Sequence, residues 1–231
     1  MKIACISDVH GKWSKLKIPE VDLLISSGDY SFRGEPHMVK DFHAWLNKQP
    51  AKHIISVQGN HEVWVEKNFE EAKQIALEQC PRVHFVEHEL VVIDGVKIFC
   101  SAWTPYFHDW AYNAYRTLDQ AQHFQVPYIA DKWKDIPQDT NIVVTHGPIA
   151  GILDRVYHID GVNIRERVGC YHLAERIEQL PDCKIHICGH IHGDYGYQYF
   201  NGRHYYNASN CGETYQIDHP VTEIEYEKEV K

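Results

Sequence analysis

Five apolar segments of the sequence end in residues that could bind a metal ion. The five ends are Asp8-Val9-His10, Gly28-Asp29, Gly59-Asn60-His61-Glu62, His146-Gly147 and Gly189-His190-Ile191-His192. Imidazole nitrogens mixed with carboxylate or amide oxygens suit borderline divalent metals such as Mn, Fe, Zn, Ni or Co, whereas Ca and Mg prefer oxygen alone. Metal-assisted hydrolysis is the chemistry that such a set would support.

The number of these ligands points to more than one ion. Two Asp, one Asn and four or five His exceed what one ion of four- to six-fold coordination needs. They suit two ions about 3.5–4 Å apart that share a bridging carboxylate, an arrangement used for in-line displacement at phosphorus. A closed structural zinc site is disfavoured, because such sites use Cys-rich sets of four.

Each residue also has a purely structural explanation. Asp8 and Asp29 could cap helices, and Asn60 could serve only a left-handed turn. A histidine at a strand end is often a hydrogen-bonded structural residue. These explanations would have to hold at all five ends at once, so the constellation favours a functional site.

The chain around these motifs alternates strand and helix patterns, which is typical of layered α/β proteins. Apolar, β-branched runs predict strands before the five polar ends, at residues 2–7, 21–26, 52–57, 141–145 and 184–188. Helical spacing of apolar residues predicts helices at 38–48, 69–77 and 171–180. Because ligands of open α/β sheets bind at the carboxyl ends of strands, the five ends could converge on one edge of a sheet.

The remaining segments predict hairpins and loops. Asp94-Gly95 and Asn201-Gly202 are two-residue turns between strand patterns, and 221–226 alternates as a last strand. Residues 150–169 contain glycine and charge without a clear period, which predicts a loop. In the absence of a repeat or linker, we expect one domain over residues 1–231.

Composition narrows the function. A net charge of -9 argues against a broad surface for long nucleic acid. No apolar run approaches the ~20 residues that span a bilayer, and the N-terminus shows no signal-peptide pattern, so a cytoplasmic protein with no membrane partner is expected. The seven cysteines include no C-x-x-C pair, which predicts buried free thiols.

In chain order, the motifs between Asp8 and His192 resemble the full signature of the calcineurin-like metallophosphoesterase superfamily. Four further stretches are similar to the brain-type metallophosphodiesterases, which are metallophosphoesterase-domain-containing proteins: Ser101-Ala102-Trp103-Thr104-Pro105, His146-Gly147-Pro148, Arg167-Val168-Gly169-Cys170 and Asn207-Ala208-Ser209. The resemblance implies an α/β fold, a four-layer α/β/β/α sandwich of two mixed sheets flanked by helices.

The same resemblance implies a role for each ligand. Asp8, His10 and His192 would hold one divalent transition-metal ion. Asn60, His146 and His190 would hold the other, and Asp29 would bridge both. A bridging hydroxide would attack phosphorus, with manganese the ion expected to support activity.

His61 would not bind metal but would act as general acid or charge stabiliser at the leaving group. Glu62 would support that imidazole or the turn. Residues 28–34 resemble the Gly-Asp-Tyr-x-x-Arg-Gly motif of Ser/Thr protein phosphatases. In those enzymes an Asp that pairs with the catalytic His precedes the Arg, but here that position is Phe32. This difference weakens an assignment as a protein phosphatase. Arg33 is either a phosphate clamp or a solvated loop residue.

The aromatic loop, residues 101–115, has two interpretations. One or two of its rings could stack on a nucleobase, with Asn113 or His108 contacting the ester. Most of the rings would instead anchor the loop on its scaffold.

The expected function is phosphodiester hydrolysis of small substrates, with cyclic nucleotides among the candidates. A phosphomonoesterase is the alternative, followed by a nuclease, which the acidic balance disfavours. A non-catalytic scaffold of the same fold is disfavoured because all seven ligands and His61 are present.

Overall fold

Two mixed β-sheets face each other in the computed structural model, which describes residues 1–157 and 165–227. The strands, numbered in chain order, are β1 Lys2–Ile6, β2 Val21–Ser27, β3 Ala51–Val57, β4 Val83–Val86, β5 His88–Ile93, β6 Val96–Ser101, β7 Thr104–Pro105, β8 Asn113–Ala114, β9 Ile142–Thr145, β10 Arg155–Tyr157, β11 Arg165–Arg167, β12 Ile185–Cys188, β13 Gly196–Phe200, β14 Arg203–Asn207 and β15 Thr222–Glu225. The helices are α1 Pro36–Leu46, α2 Val63–Lys67, α3 Phe69–Gln79, α4 Leu118–Phe124, α5 Ile129–Lys134 and α6 Tyr171–Glu178.

The first sheet has the order β15-β1-β2-β3-β4. Its strands β1 to β4 are parallel, and β15 runs antiparallel to β1. The second sheet has the order β13-β14-β12-β9-β6-β5. Its inner strands β14, β12, β9 and β6 are parallel, and β13 and β5 close its edges as antiparallel hairpin partners. The parallel strands of each sheet therefore end on one side.

Alternation along the strands creates three apolar layers. In β1, Ile3 and Cys5 pack between the two sheets, while Ala4 and Ile6 pack outward on the side of α1 and α3. A third cluster joins the outer face of the second sheet to α5 and α6. Each fully buried Ile or Leu in these layers contributes roughly 1.5–3 kcal/mol. The predicted four-layer α/β/β/α sandwich is confirmed.

Most predicted elements are present, with ends shifted by at most two residues. Both hairpins form, and Asp94 and Gly95 both have positive φ, as a two-residue turn of this kind requires. All seven cysteines are free and buried, as predicted.

Two structural predictions need correction. The five polar strand ends come from two sheets, not one, because β9 and β12 pair with β6 and β14 and not with β1 to β3. The segment 150–169 is not only a loop, since β10 and β11 form an antiparallel ribbon within it. This ribbon was missed because the sequence of its two short strands, Arg155–Tyr157 and Arg165–Arg167, shows no apolar alternation. Residues 158–164 of that segment lie outside the described residues.

In the part of the chain that the structure describes, no helix has the length and apolar character needed to cross a bilayer.

Candidate metal centre

The five polar strand ends meet where the carboxyl ends of the two sheets face each other. The backbone N–H of His190, after β12, donates to Oδ2 of Asp8, after β1, at 2.8 Å. Nδ1 of His146, after β9, lies 2.9 Å from the carbonyl oxygen of Ser27 at the end of β2. Hydrogen bonds between the sheets therefore hold the candidate ligands together.

The side chains form two clusters of potential ligand atoms. Asp8, His10 and His192 make up the first, and Asp29, His146 and His190 the second, with the ligand atoms of each within 4.8 Å of one another. Oδ1 of Asn60 extends the second cluster, since it lies 2.8 Å from Nε2 of His146. Asp29 also groups with His10 and His61 within the same distance, so it joins the first cluster to the second.

Three histidines are held so that, in the neutral form, each presents an unprotonated nitrogen to the interior of the site. Nδ1 of His10, His146 and His192 each lies 2.9–3.2 Å from a backbone carbonyl oxygen. A carbonyl only accepts, so each neutral imidazole carries its proton on Nδ1 and leaves a lone pair on Nε2. This hydrogen bond is the usual second contact of a metal-ligating histidine.

These lone pairs face other acceptors in a way that cations would explain. Nε2 of His10 and Nε2 of His192 are only 3.3 Å apart. The buried Oδ1 of Asp8 lies 3.4 Å from Nε2 of His192, yet it accepts no hydrogen bond from the described residues. Because buried acceptors without a donor are costly, the residues present fit a pair of divalent cations.

Charges in the site shift the histidine pKa values in both directions. Burial lowers the pKa of His10 and of His190 to about 4, so both are neutral at pH 7. Burial also opposes protonation of His146, but the charges of Asp29 and Asp8 raise its pKa to about 9. Cations bind the neutral imidazole, so metal binding would release a proton from His146.

The aspartates are held as carboxylates. Burial alone would raise the pKa of Asp29, but the neighbouring charges of His146 and His61 hold it below its ordinary value. Burial would also raise the pKa of Asp8, but the contact with His192 and the charges of His192, His146 and His10 together hold it well below its ordinary value. Both side chains therefore supply negative charge to the site at neutral pH.

The backbone at the ligands is strained. Asp8, His10, Asp29 and His190 all have positive φ, between 40° and 69°. Non-glycine residues adopt this conformation rarely, and it persists where the surroundings fix it. Here the N–H of Asp8 donates to the carbonyl of Gly28, and the N–H of His10 donates to that of Asp29. Each strand-end turn thus supports its neighbour.

Two glycines permit the close approach of these turns. A β-carbon at Gly189 would overlap the hydroxyl of Ser7 and Oδ2 of Asp8. Gly28 has a φ of +111°, and a β-carbon on it would overlap Nδ1 of His146. Glycine at both positions lets the ligand-bearing backbones touch.

His61 lies beside the two clusters. Its Nε2 is 3.9 Å from Oδ2 of Asp29, and its Nδ1 is 3.1 Å from the carbonyl oxygen of Phe32. The carbonyl requires the proton on Nδ1, which leaves Nε2 directed toward the site. The backbone carbonyl of Phe32 therefore makes the hydrogen bond to His61 that the apolar side chain of Phe32 cannot make.

Glu62 organises the turns that carry Asp29 and Asn60. Its buried carboxylate accepts hydrogen bonds from the N–H groups of Asp29, Gly59 and Ser31 and from the hydroxyl of Ser31, at 2.8–3.1 Å. Burial and the charge of Asp29 raise its pKa to about 8. Through these contacts, which reach both sides of the site, Glu62 supports the turn. This is one of the two roles predicted for it.

Replacing Glu62 with alanine is expected to lower the free energy of unfolding by at least about 3 kcal/mol, because three buried N–H groups lose their acceptor at roughly 1–3 kcal/mol each. Urea unfolding of chelator-treated protein measures this effect. Glu66→Ala is the matched control, since the exposed Glu66 accepts a single hydrogen bond, from the N–H of Tyr112. Equal losses in the two variants would contradict the assigned role of Glu62.

Exposed aromatic rings surround both clusters. Phe32 and Tyr215 lie against His10, with ring centroids 5.3 and 4.8 Å away, and Phe107 lies 6.3 Å from His190. Their exposed fractions are 46%, 39% and 53%. The mouth of the site is therefore largely aromatic.

The rings of the aromatic loop lie partly within the loop and partly beside the metal centre. Trp103 and Tyr112 contact each other edge to face, and Tyr112 is buried. Trp110 instead lies over His61, with ring centroids 4.2 Å apart. The guanidinium of Arg33 sits 5.2 Å above the same indole, at the rim of the site.

Asn113 makes hydrogen bonds within its own loop. Its amide N–H groups donate to the carbonyls of His108 and Trp110, and its oxygen accepts from the N–H of Phe107. The side chain therefore braces the loop, and its contact with an ester stays a prediction.

Two residues at the site had no role in the sequence-based prediction. The hydroxyl of Ser209 donates to Oδ2 of Asp8 at 2.7 Å, which fixes that carboxylate. Tyr215 contacts His10 and His192 from a turn after β14. The Asn207-Ala208-Ser209 stretch was a usable signal for Ser209, whereas Tyr215 lies in no motif.

Comparisons with known proteins agree with this geometry. A family model described as calcineurin-like phosphoesterase matches residues 1–194. Metallophosphoesterase domain-containing protein 1 of Homo sapiens is 30% identical over 246 aligned positions, which cover 97% of this chain and 70% of that protein. The protein of the same name in Mus musculus gives the same identity and coverage.

Among solved structures, the phosphopantetheinyl hydrolase PptH of Mycobacterium tuberculosis has a TM-score of 0.62 to this chain at 16% identity. The alignment covers 93% of this chain and 90% of that one. At this identity the likeness shows the fold alone.

Proposed function

Because the chain belongs to the calcineurin-like phosphoesterase family, we propose that it hydrolyses small phosphodiesters at the two clusters joined by Asp29. The chain is a hydrolase of phosphoric esters, and its family uses divalent metal ions. Beyond this, we propose the class of ester that the chain hydrolyses, the residues that bind the metal ions and the role of His61.

The observation that carries the diester proposal is the distribution of aromatic rings around the mouth. A diester has two organic substituents, and each needs a surface on which to lie. Phe32 and Tyr215 supply one such surface beside His10, and Phe107 supplies another beside His190. A monoester has one organic substituent and would leave one of these surfaces unused.

The proposed metal ligands are those of the sequence-based prediction. Asp8, His10 and His192 would hold one ion, and Asn60, His146 and His190 the other, with Asp29 shared. Two ions held there would neutralise the phosphate charge and make a water molecule nucleophilic near neutral pH. Manganese is the ion we propose to support activity.

The chain's own residues then orient the substrate and move a proton. In its protonated form, with N–H groups at both nitrogens, His61 would place Nε2–H at the leaving oxygen and donate a proton or a hydrogen bond to it, which leaves the neutral Nδ1–H imidazole. The orientation is supported by the contact of Nδ1 with the Phe32 carbonyl. Arg33 at the rim remains a predicted contact for a phosphate oxygen or for a charged substituent.

We also propose that residues 1–231 form one domain. The layer between the sheets includes Ile3 near one end of the chain and Ile224 and Tyr226 near the other.

A comparison of two chromogenic substrates tests the ester class. In the presence of Mn or Ni, kcat/KM for bis-p-nitrophenyl phosphate is expected to exceed that for p-nitrophenyl phosphate by at least about tenfold, or about 1.4 kcal/mol in transition-state binding. The same assay extends to 2′,3′- and 3′,5′-cyclic nucleotides. A ratio in favour of the monoester would replace the diesterase proposal with a phosphatase.

A further inference from the structure

The carbonyl of Phe32 holds His61 by a single hydrogen bond. In the protein phosphatases that residues 28–34 resemble, an Asp pairs with the catalytic His at this position. Here the side chain is an apolar ring, and Nδ1 of His61 contacts the backbone carbonyl at 3.1 Å. One hydrogen bond to a neutral oxygen holds an imidazole less firmly than a bond to a carboxylate would, so packing against the ring helps to keep its plane in place.

Trp110 packs against the ring of His61. Its ring centroid is 4.2 Å from that of His61, with an interplanar angle of 32°, while His10 contacts the same ring edge-on with centroids 4.7 Å apart. The distance to Trp110 is just below the range of roughly 4.5–7 Å that is typical of stabilising ring pairs, so the two rings are in close contact. The indole also carries the guanidinium of Arg33 at 5.2 Å, which gives it a further contact at the same rim.

The loop that carries Trp110 is attached to the turn that carries His61. The N–H of Ala111 donates to the carbonyl of Asn60 at 3.0 Å. The amide of Asn113 donates to the carbonyl of Trp110 at 2.9 Å. Both hydrogen bonds engage the peptide group between residues 110 and 111, so the backbone next to the indole is tied to the His61 turn and to its own loop.

We propose that Trp110 is a positioning residue for His61, and that its indole and the Phe32 carbonyl together do the work of the orienting carboxylate. The proposal rests on the proposed function, because it assigns Trp110 a role in the step that His61 assists. The indole fixes the plane of the imidazole, and the carbonyl fixes its tautomer. Nε2 is then presented to the leaving oxygen in one orientation.

A double-mutant cycle on diester turnover tests the proposal. Trp110→Ala is expected to lower kcat by about 10- to 100-fold with little change in KM, since a displacement of about 1 Å in a catalytic group can cost 100-fold. Trp110→Phe keeps a flat ring and should retain most of kcat. In a His61→Ala background, Trp110→Ala should cause little further loss, because its effect passes through His61.

Trp103 provides the matched control. It lies in the same loop, where it contacts Tyr112 and carries the Lys132 ammonium 3.7 Å above its ring. Trp103→Ala disturbs the loop without removing the ring from His61, so its effect should be the same with or without His61. If the effect of Trp110→Ala is also the same with or without His61, Trp110 is a loop anchor. If Trp110→Ala raises KM instead of lowering kcat, Trp110 is a substrate contact. Either result would make the proposal wrong.

A spectroscopic measurement separates this proposal from the proposed function. Ring ¹⁵N shifts of the zinc-loaded protein should show the neutral form of His61 as the Nδ1–H tautomer, with its signal identified by its loss in His61→Ala. In Trp110→Ala the imidazole is free to turn away from the Phe32 carbonyl, so this signal should shift toward a mixture of tautomers, whereas in Trp103→Ala it should not. An unchanged tautomer in Trp110→Ala overturns the positioning role, and an absence of turnover in the unaltered chain overturns only the function.

Discussion

Replacing His61 with alanine is expected to lower kcat for phosphodiester hydrolysis by about 10²- to 10⁴-fold, the range of general acid catalysis. The side chain reaches the site through Nε2, which lies 3.9 Å from Oδ2 of Asp29. Its ligand atom groups with those of His10 and Asp29, but it is a member of neither the Asp8-His10-His192 nor the Asp29-His146-His190 cluster. Its loss should therefore remove turnover and leave metal content unchanged. Steady-state kinetics and elemental analysis of the same preparation measure the two effects.

His123→Ala is a suitable control, because His123 lies exposed on α4 and contacts Phe124. That variant should match the unaltered chain in both measurements. Loss of metal in parallel with activity in His61→Ala would make His61 a ligand and reverse its assigned role.

Replacing Asp29 with asparagine is expected to weaken both metal ions. Asp29 groups with His10 and His61 on one side and with His146 and His190 on the other, so it adjoins both clusters. Asparagine is nearly isosteric but uncharged, and each ion would lose a shared negative ligand. Since loss of an outer partner of a ligand already costs 10- to 100-fold in affinity, both ions should weaken by at least about 100-fold.

Titration of chelator-treated protein with Mn or Ni counts the sites and their affinities. Asp8→Asn is the informative comparison, because Asp8 belongs to the first cluster alone and should weaken chiefly one ion. Asp22→Asn, at an exposed pair with Lys52, should change neither. Two ions of unaltered affinity in Asp29→Asn would remove Asp29 from the shared position.

The sequence predicted the ligand positions well because they follow a repeated physical rule. Each candidate ligand stands just after a buried parallel strand, and parallel strands end on the same side of a sheet. The division between two sheets was not visible in the strand patterns themselves. It depends on which strands pair, for example β9 with β6 and β12, and that choice is made by long-range contacts.

Side-chain details of the site were less predictable. The contact between Trp110 and His61 joins residues almost 50 positions apart, and its partner on the other side is a backbone carbonyl, which any residue type could supply. The commitment of Asn113 to its own loop depends on the turn at 107–110. Positive φ at Asp8 and Asp29 likewise arises from contacts between neighbouring turns and not from residue type.

We expect the five strand ends to hold a pair of divalent metal ions. Elemental analysis of protein purified without chelator measures it directly. The expected result is about two transition-metal ions per chain, as a pair sharing a carboxylate requires, with hydrolysis lost on chelation and restored by Mn. Less than one ion per chain, with no gain in hydrolysis when Mn is added, would contradict the account.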